Sequence, residues 1–402
     1  MKPLSGVKVV EMSTQFAGPS VGRILADWGA DVIKVEAPQG DPLRFSYIVQ
    51  QTPMFEEGCP TFDAENSNKR FVCLDLKLPE GKEAMMKLLE QTDVFITNTR
   101  TKALEKLGFG YDLVAAKNPK IVYAEVLGYG AEGPLKDMPG YDYTVFFARS
   151  GLMADFTQEG KDVINLIAGF GDHVSAISTA SGICAALYRS QVSGMGERVT
   201  NSLYQSAIYL LATGLLNSYF GRKYPCTREE SNSSPLLQTY KCKDGEWILL
   251  CMPQYARMWP IVCEKVLDRP DLATDPRFID YKACVANSGA AIGTVSDILA
   301  TQDSAYWLER MVANDIAHEK LAHFRDVLKD EQAWANNYFI EYTYPNGEKA
   351  VFAQTPVTFG SIPEMPFKHG KRLGGDTADV LANLGYSAEQ IKELSDKGAI
   401  VV

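Results

Sequence analysis

The opening stretch of about 40 residues constrains this chain most. Leu4 to Glu11 carries the apolar, β-branched run of a buried strand. Ala17-Gly18-Pro19 breaks the run, and Pro19 suits the first turn of a helix. Val21, Ile24, Leu25 and Trp28 then recur at helical spacing until Gly29 ends the pattern. Asp31 to Val35 returns as a strand parallel to the first. A βαβ unit of this kind predicts an α/β chain with a Rossmann-like, doubly wound parallel sheet. Such sheets bind ligands at the carboxyl ends of their strands. The glycines do not form GxGxxG, so an ordinary nicotinamide site is not expected.

The same rhythm continues. Arg70 to Leu76, Asp93 to Asn98 and Ile121 to Val126 read as strands. Pro79 to Gln91 and Lys102 to Leu107 read as the helices between them, the first with proline and acids in its first turn. Gly171 to Gln191 predicts a long helix with Ser175, Ser178, Thr179, Ser181, Gly182, Ala185 and Ala186 along it. Another helix is expected from Leu203 to about Tyr219. Residues 1–220 would then form the first part of a large domain.

The character changes at Gly221-Arg222-Lys223-Tyr224-Pro225 and Ser231-Asn232-Ser233-Ser234-Pro235, which are loop-forming. A smaller α+β domain is expected over 225–325, opening on a hairpin that turns at Lys243-Asp244-Gly245. Residues 330–402 would return to the large domain, with a hairpin around Pro345-Asn346-Gly347-Glu348 and helices over Thr377–Leu384 and Ser387–Lys397. Ser387 and Gln390 form a capping box at the last helix.

Composition narrows function by exclusion. The net charge of −10 lacks the basic footprint of a nucleic-acid binder. No apolar stretch has the length of a membrane span, and the N-terminus carries no secretion pattern, so a soluble, cytoplasmic protein is expected. Eight cysteines show no CxxC spacing and read as buried thiols rather than disulfides. His318 and His323, five apart, make a poor chelate, and no metal site is expected.

Several motifs follow one another in order: Ala17-Gly18-Pro19, Leu25 to Glu36 (LADWGADVIKVE), Leu74-Asp75-Leu76-Lys77, Leu107 to Tyr111 (LGFGY), Gly171-Asp172, Gly196-Glu197-Arg198-Val199, and Arg269 to Phe278 (RPDLATDPRF). Together they resemble the class III CoA-transferases, over nearly the whole chain. The resemblance implies transfer of CoA between carboxylic acids with Asp172 as nucleophile. Asp172 follows Gly169 and Gly171 at the expected start of a helix. An aspartate there is also a favoured N-cap, and that ordinary role stands beside the catalytic one. An aspartyl intermediate needs no metal and no strong base, only donors for an oxyanion and exclusion of water. No permanently bound cofactor is implied, with CoA and acyl-CoA as substrates.

By the same resemblance, Tyr141 occupies the position where the related α-methylacyl-CoA racemases place a histidine. A phenol is a poorer proton shuttle near neutrality than an imidazole, which disfavours racemisation. A packed aromatic is the ordinary alternative for Tyr141, and a surface or capping residue for His173. The implied CoA contacts are Thr14, Phe16, Ala17, Leu74, Lys77, Asn98, Thr99, Arg100 and Lys106. Lys69, Arg70, Lys77, Arg100, Lys102 and Lys106 read as a basic cluster, or else as a solvated face. An interlocked homodimer is implied.

Three departures stand out. Thr14 replaces a histidine of some members. Ala37-Pro38 replaces a basic pair. Met252-Pro253-Gln254-Tyr255 replaces the glycine-rich lid of oxalate-using members. The loop bearing Tyr143, Val145, Phe146, Phe147, Leu152, Met153 and Phe156 favours an apolar or aromatic acid, or is simply core. The nearest resemblance is to the 2-hydroxyacyl-CoA transferases of amino-acid-fermenting anaerobes, acting on 2-hydroxyisocaproate or phenyllactate. The alternatives are a racemase and a noncatalytic acyl-CoA-binding protein.

Overall fold

Strand alternation decides how the chain packs. In a computed structural model, which describes every residue except 56, 57, 228, 229, 231, 232, 363 and 364, seven strands form one sheet. They are β1 (Lys8–Met12), β2 (Asp31–Glu36), β3 (Arg70–Leu74), β4 (Val94–Thr97), β5 (Val122–Leu127), β6 (Glu197–Ser202) and, later in the chain, β12 (Ile400–Val401). Their order is β12-β3-β2-β1-β4-β5-β6. All neighbours run parallel except β12, which pairs antiparallel with β3.

Successive side chains point to opposite faces. Val9, Val32, Val94, Ile96, Val122 and Ala124 enter one core, packed against the helices Ala17–Asp27 and Phe170–Ser193. Val10, Ile33, Val72, Phe95 and Tyr123 enter the other, with Met85, Leu88, Leu104, Val380 and Leu394 from helices. Both faces are therefore covered by helices, which is why these strands are buried on both sides, with the few charged residues inside them, such as Glu11 and Lys34, paired with each other. The Ser387–Gln390 capping box is present, and Gly29 ends its helix with φ +106°.

Three elements differ from expectation. Leu4 to Gly6 is a turn, and β1 begins only at Lys8. Residues 203–219 form two helices, Leu203–Leu210 and Ala212–Tyr219. Glu197–Ser202, to which the sequence reading assigns no element, is the edge strand β6, held by register pairs from Val122↔Glu197 to Leu127↔Ser202.

The chain divides into two compact units. One comprises Met1–Met153, Ile164–Phe220 and Gln332–Val402, and contains the large sheet and the hairpin β10 (Phe339–Thr343) and β11 (Lys349–Ala353). The other comprises Ala154–Val163 and Gly221–Glu331. Its antiparallel sheet, β7 (Thr239–Lys241), β8 (Trp247–Leu250) and β9 (His318–Lys320), packs with Trp259, Phe278 and Trp307 in a core of its own. Of the loop expected at 231–235, Ser231 and Asn232 lie outside the described residues. The eight cysteines are free thiols, and Cys251 is exposed.

Candidate active site

The sheet order reverses between β1 and β4, so the loops leaving their carboxyl ends diverge and leave a crevice. Asn98 clamps the two loops: its Oδ1 accepts the Thr14 N–H at 3.1 Å, and its Nδ2 donates to the Thr14 carbonyl at 2.7 Å. Gln15 adopts φ +66°, a left-handed conformation that costs a non-glycine residue about 1–2 kcal/mol. Asp41 Oδ1 accepts the Gln15 N–H at 3.0 Å and helps to hold that turn.

Beneath the turn lies a buried ionic ladder. Lys34 Nζ meets Glu11 Oε1 and Asp41 Oδ2, both at 2.9 Å, and donates to the Ser13 carbonyl. Lys69 Nζ meets Glu11 Oε2 at 2.6 Å and donates to Pro19 O, Glu65 O and Asn66 Oδ1. Burial alone would raise Glu11, yet the two lysines hold its carboxyl below the ordinary value. Burial lowers Lys69 to about 8, against the pull of Glu11. Lys69 is thus internal, and Arg70 pairs with Asp31 at the amino end of the strands. Neither belongs to a basic cluster with Lys77 and Arg100, contrary to the sequence reading.

The crevice holds two neighbouring cavities that share Thr14 and Thr99. The larger, about 610 Å³, is lined by Thr14, Phe16, Ala17, Asn98, Thr99, Arg100, Tyr141 and Asp172 among others. The smaller, about 250 Å³, is lined by Lys77 with Leu76, Leu107 and Asp75. Leu74 and Lys106 reach neither. Leu74 is fully buried in the sheet core, and Lys106 is exposed in the last turn of the helix Thr101–Leu107. Residues that sequence reasoning missed are Gln15, Lys136, Met138 and Leu203, which also line the larger cavity. Val145, Phe146 and Phe147 are core, so from that aromatic loop it is Tyr143 that lines the cavity. Apolar walls come instead from Phe16, Val126, Leu127, Met138 and Leu203.

Asp172 sits in the first turn of the helix Phe170–Ser193, where Gly169 is the N-cap with φ +89°. It is therefore not an N-cap. A side chain at 171 would collide with the Phe146 ring, so glycine lets the helix start close against the segment Asp142–Arg149. Asp142 binds the two together: its Oδ2 accepts the Gly169 N–H at 2.7 Å. Asp172 is 9% exposed, and its carboxyl has no hydrogen-bond or ion-pair partner among the described residues. Burial first, then the Asp142 carboxylate, push it up to about 7, opposed by His173. Tyr141 is 61% exposed on the wall of the same cavity.

Asp172 thus lines the cavity as a buried carboxyl without a partner among the described residues, the kind of perturbed group that marks a candidate functional site. Among the described residues, no group of three His, Cys, Asp or Glu side chains is arranged to hold a metal ion. No helix there is long and apolar enough to cross a membrane.

The sequence pattern of CoA-transferase family III matches residues 4–377 of the chain. The (R)-2-hydroxy-4-methylpentanoate CoA-transferase of Clostridioides difficile is 38% identical over 397 residues, 99% of each chain. The cinnamoyl-CoA:phenyllactate CoA-transferase of Clostridium sporogenes is 35% identical over 402 residues, covering 99% of this chain and 97% of that one. Among solved structures, a CAIB/BAIF family protein from Brucella suis superposes with a TM-score of 0.78 at 27% identity, covering 95% of this chain and 99% of that chain.

Proposed function

The chain belongs to CoA-transferase family III, and from that premise we propose that it moves CoA between an acyl-CoA and a 2-hydroxy acid through Asp172. The observation that carries this reading is the buried, unpartnered Asp172 carboxyl facing the larger cavity.

The exchange runs in four balanced steps. An Asp172 oxygen attacks the thioester carbonyl, giving a mixed anhydride and CoA thiolate. The thiolate attacks the Asp172 carbonyl, leaving an aspartyl-CoA thioester and a free carboxylate. The incoming carboxylate attacks that thioester and releases the thiolate again. The thiolate then takes the new acyl group and frees Asp172. Burial makes the Asp172 carboxylate a better nucleophile than a solvated one, and a water-poor cavity protects the thioester from hydrolysis.

The phosphate end of CoA is assigned to the smaller cavity, at Lys77, with its adenine against Leu76 and Leu107. Pantetheine then passes Thr14 and Thr99 into the larger cavity, where Arg100 and Lys136 add positive charge at the wall. The walls formed by Phe16, Met138 and Leu203 suit a branched or aromatic acyl group, in keeping with the acids named for the two relatives. Tyr141 is assigned to the acyl end, and a racemase reading is disfavoured because no imidazole lines that cavity.

A homodimer is part of the reading. Tyr209, Tyr219 and Phe220 are 86%, 83% and 78% exposed on or just after the helices Leu203–Leu210 and Ala212–Tyr219, an apolar surface that a second copy would cover. Light scattering that gives a monomer mass would remove it.

The decisive experiment traps the intermediate. The protein is incubated with 4-methyl-2-hydroxypentanoyl-CoA or phenyllactyl-CoA, quenched with hydroxylamine and mapped by mass spectrometry. Hydroxamate at Asp172 is expected, and modification at another carboxyl would overturn the assignment.

A further inference from the structure

His173 follows the nucleophile yet does not line the cavity, and the exchange described above gives it no task. It is nevertheless tied firmly to its surroundings. Its Nε2 lies 2.9 Å from Glu65 Oε1, on the helix Pro60–Asn66. The other Glu65 oxygen accepts the Ser20 hydroxyl, and that hydroxyl also lies 2.7 Å from the Phe16 carbonyl. The Phe16 and His173 rings meet edge to face with centroids 6.5 Å apart, and the imidazole passes over Gly169. Phe16, which lines the cavity, thus closes a ring of contacts with Ser20, Glu65 and the half-exposed His173 imidazole.

We propose that Glu65 and His173 are positioning residues for Asp172: Glu65 fixes the imidazole as a cation beside the nucleophile and against Phe16. The proposal rests on Asp172 being that nucleophile. Glu65 is buried, which alone would raise its carboxyl, but His173 and then Arg23 hold it down to about 2. Its charge in turn raises His173 above the ordinary imidazole value. The charged groups facing the imidazole are Glu65, Arg23 from the helix Ala17–Asp27, and Asp172 on its own helix; Arg23 opposes protonation and the two carboxylates favour it. Asp142, from the segment Asp142–Arg149, and Glu65 both act on Asp172 in the opposite sense to His173.

The consequence has a definite sign. Burial and Asp142 favour protonated Asp172, which cannot attack a thioester. A cation next to it opposes that shift without cancelling it, since the carboxyl still sits at about 7. Removing that cation moves the acid limb of activity to higher pH.

The test is the pH profile of kcat/KM for His173→Gln and His173→Lys. The glutamine variant is expected to lose about tenfold near pH 6, the effect of a one-unit shift, and to approach wild type near pH 9. The lysine variant, which keeps a cation within reach of Glu65, is expected to recover most of the activity near pH 6. A glutamine profile that superimposes on wild type overturns the proposal. So does a loss equal at every pH, the signature of a merely structural residue. Hydroxylamine labelling of the wild type separates the two levels. Label at Asp172 with an unshifted profile removes only the positioning role, whereas label elsewhere removes the nucleophile and this proposal with it.

Discussion

Glu11 and Asp172 are both buried carboxyls in the same unit, and they are treated in opposite ways. Glu11 is 0% exposed and receives Lys34, Lys69 and the Ser13 hydroxyl. Its charge is matched, and its carboxyl stays below the ordinary value. Asp172 is 9% exposed, receives none of these and faces another carboxylate across the start of its helix. The difference separates a carboxyl whose charge is matched within the fold from one left unmatched, which the proposed mechanism uses as its nucleophile. A matched ion pair in the interior fixes geometry while contributing little net stability. An unmatched carboxyl costs stability and gains nucleophilicity.

Removing the proposed nucleophile has the largest expected effect. Asp172→Ala should lower CoA-exchange turnover by at least about 10³-fold while CoA still binds, read by an isotope-exchange assay beside calorimetric titration. Full activity in this variant would erase the contrast. Breaking the matched carboxyl comes next. Glu11→Gln leaves Lys34 and Lys69 undercompensated and should cost about 3–5 kcal/mol in urea unfolding. A loss below about 1 kcal/mol would mean that the lysines find other partners.

The third measurement sharpens the comparison through pH. The Asp172 carboxyl titrates at about 7 in the folded protein, above its ordinary 3.8. The folded state therefore holds an extra proton between those values, and the stability linked to it is lost as pH rises from about 4 through 7. Asp172→Asn escapes that loss. It should exceed wild type in stability at pH 8 by up to about 4 kcal/mol, and match it near pH 4. Equal urea midpoints at pH 8 would show that the native carboxylate is compensated after all.

How much of this could be read from the chain itself depended on distance along it. β1 and β2 were legible because each carries adjacent β-branched residues, Val9-Val10 and Val32-Ile33. β6, Glu-Arg-Val-Thr-Asn-Ser, was not, because an edge strand needs no continuous apolar run and takes its register from β5. The motif around Asp172 marked the residue, but its isolation could not be foreseen. It goes with a contact out of reach of the motif: Asp142, 27 positions before Gly169, accepts the Gly169 N–H at the start of the helix. Lys69 and Arg70 misled because neighbours at a strand start point in opposite directions, one into the ionic ladder and one towards Asp31. Leu74 misled for a related reason: the motif containing it reaches the smaller cavity through Asp75, Leu76 and Lys77.

The antiparallel strand β12 has a consequence for synthesis. Beside it, the Cys73 amide finds its acceptor in Thr377, 304 positions further on. At ~5–20 residues per second, a ribosome needs about 15–60 s to make the stretch between them. Throughout that interval the outer rim of β3 is bare, with hydrogen-bonding groups open to any extended segment nearby. A nascent chain stalled after Phe220 would expose the same rim indefinitely, so this is where a chaperone is most needed and where truncated products should first stick together.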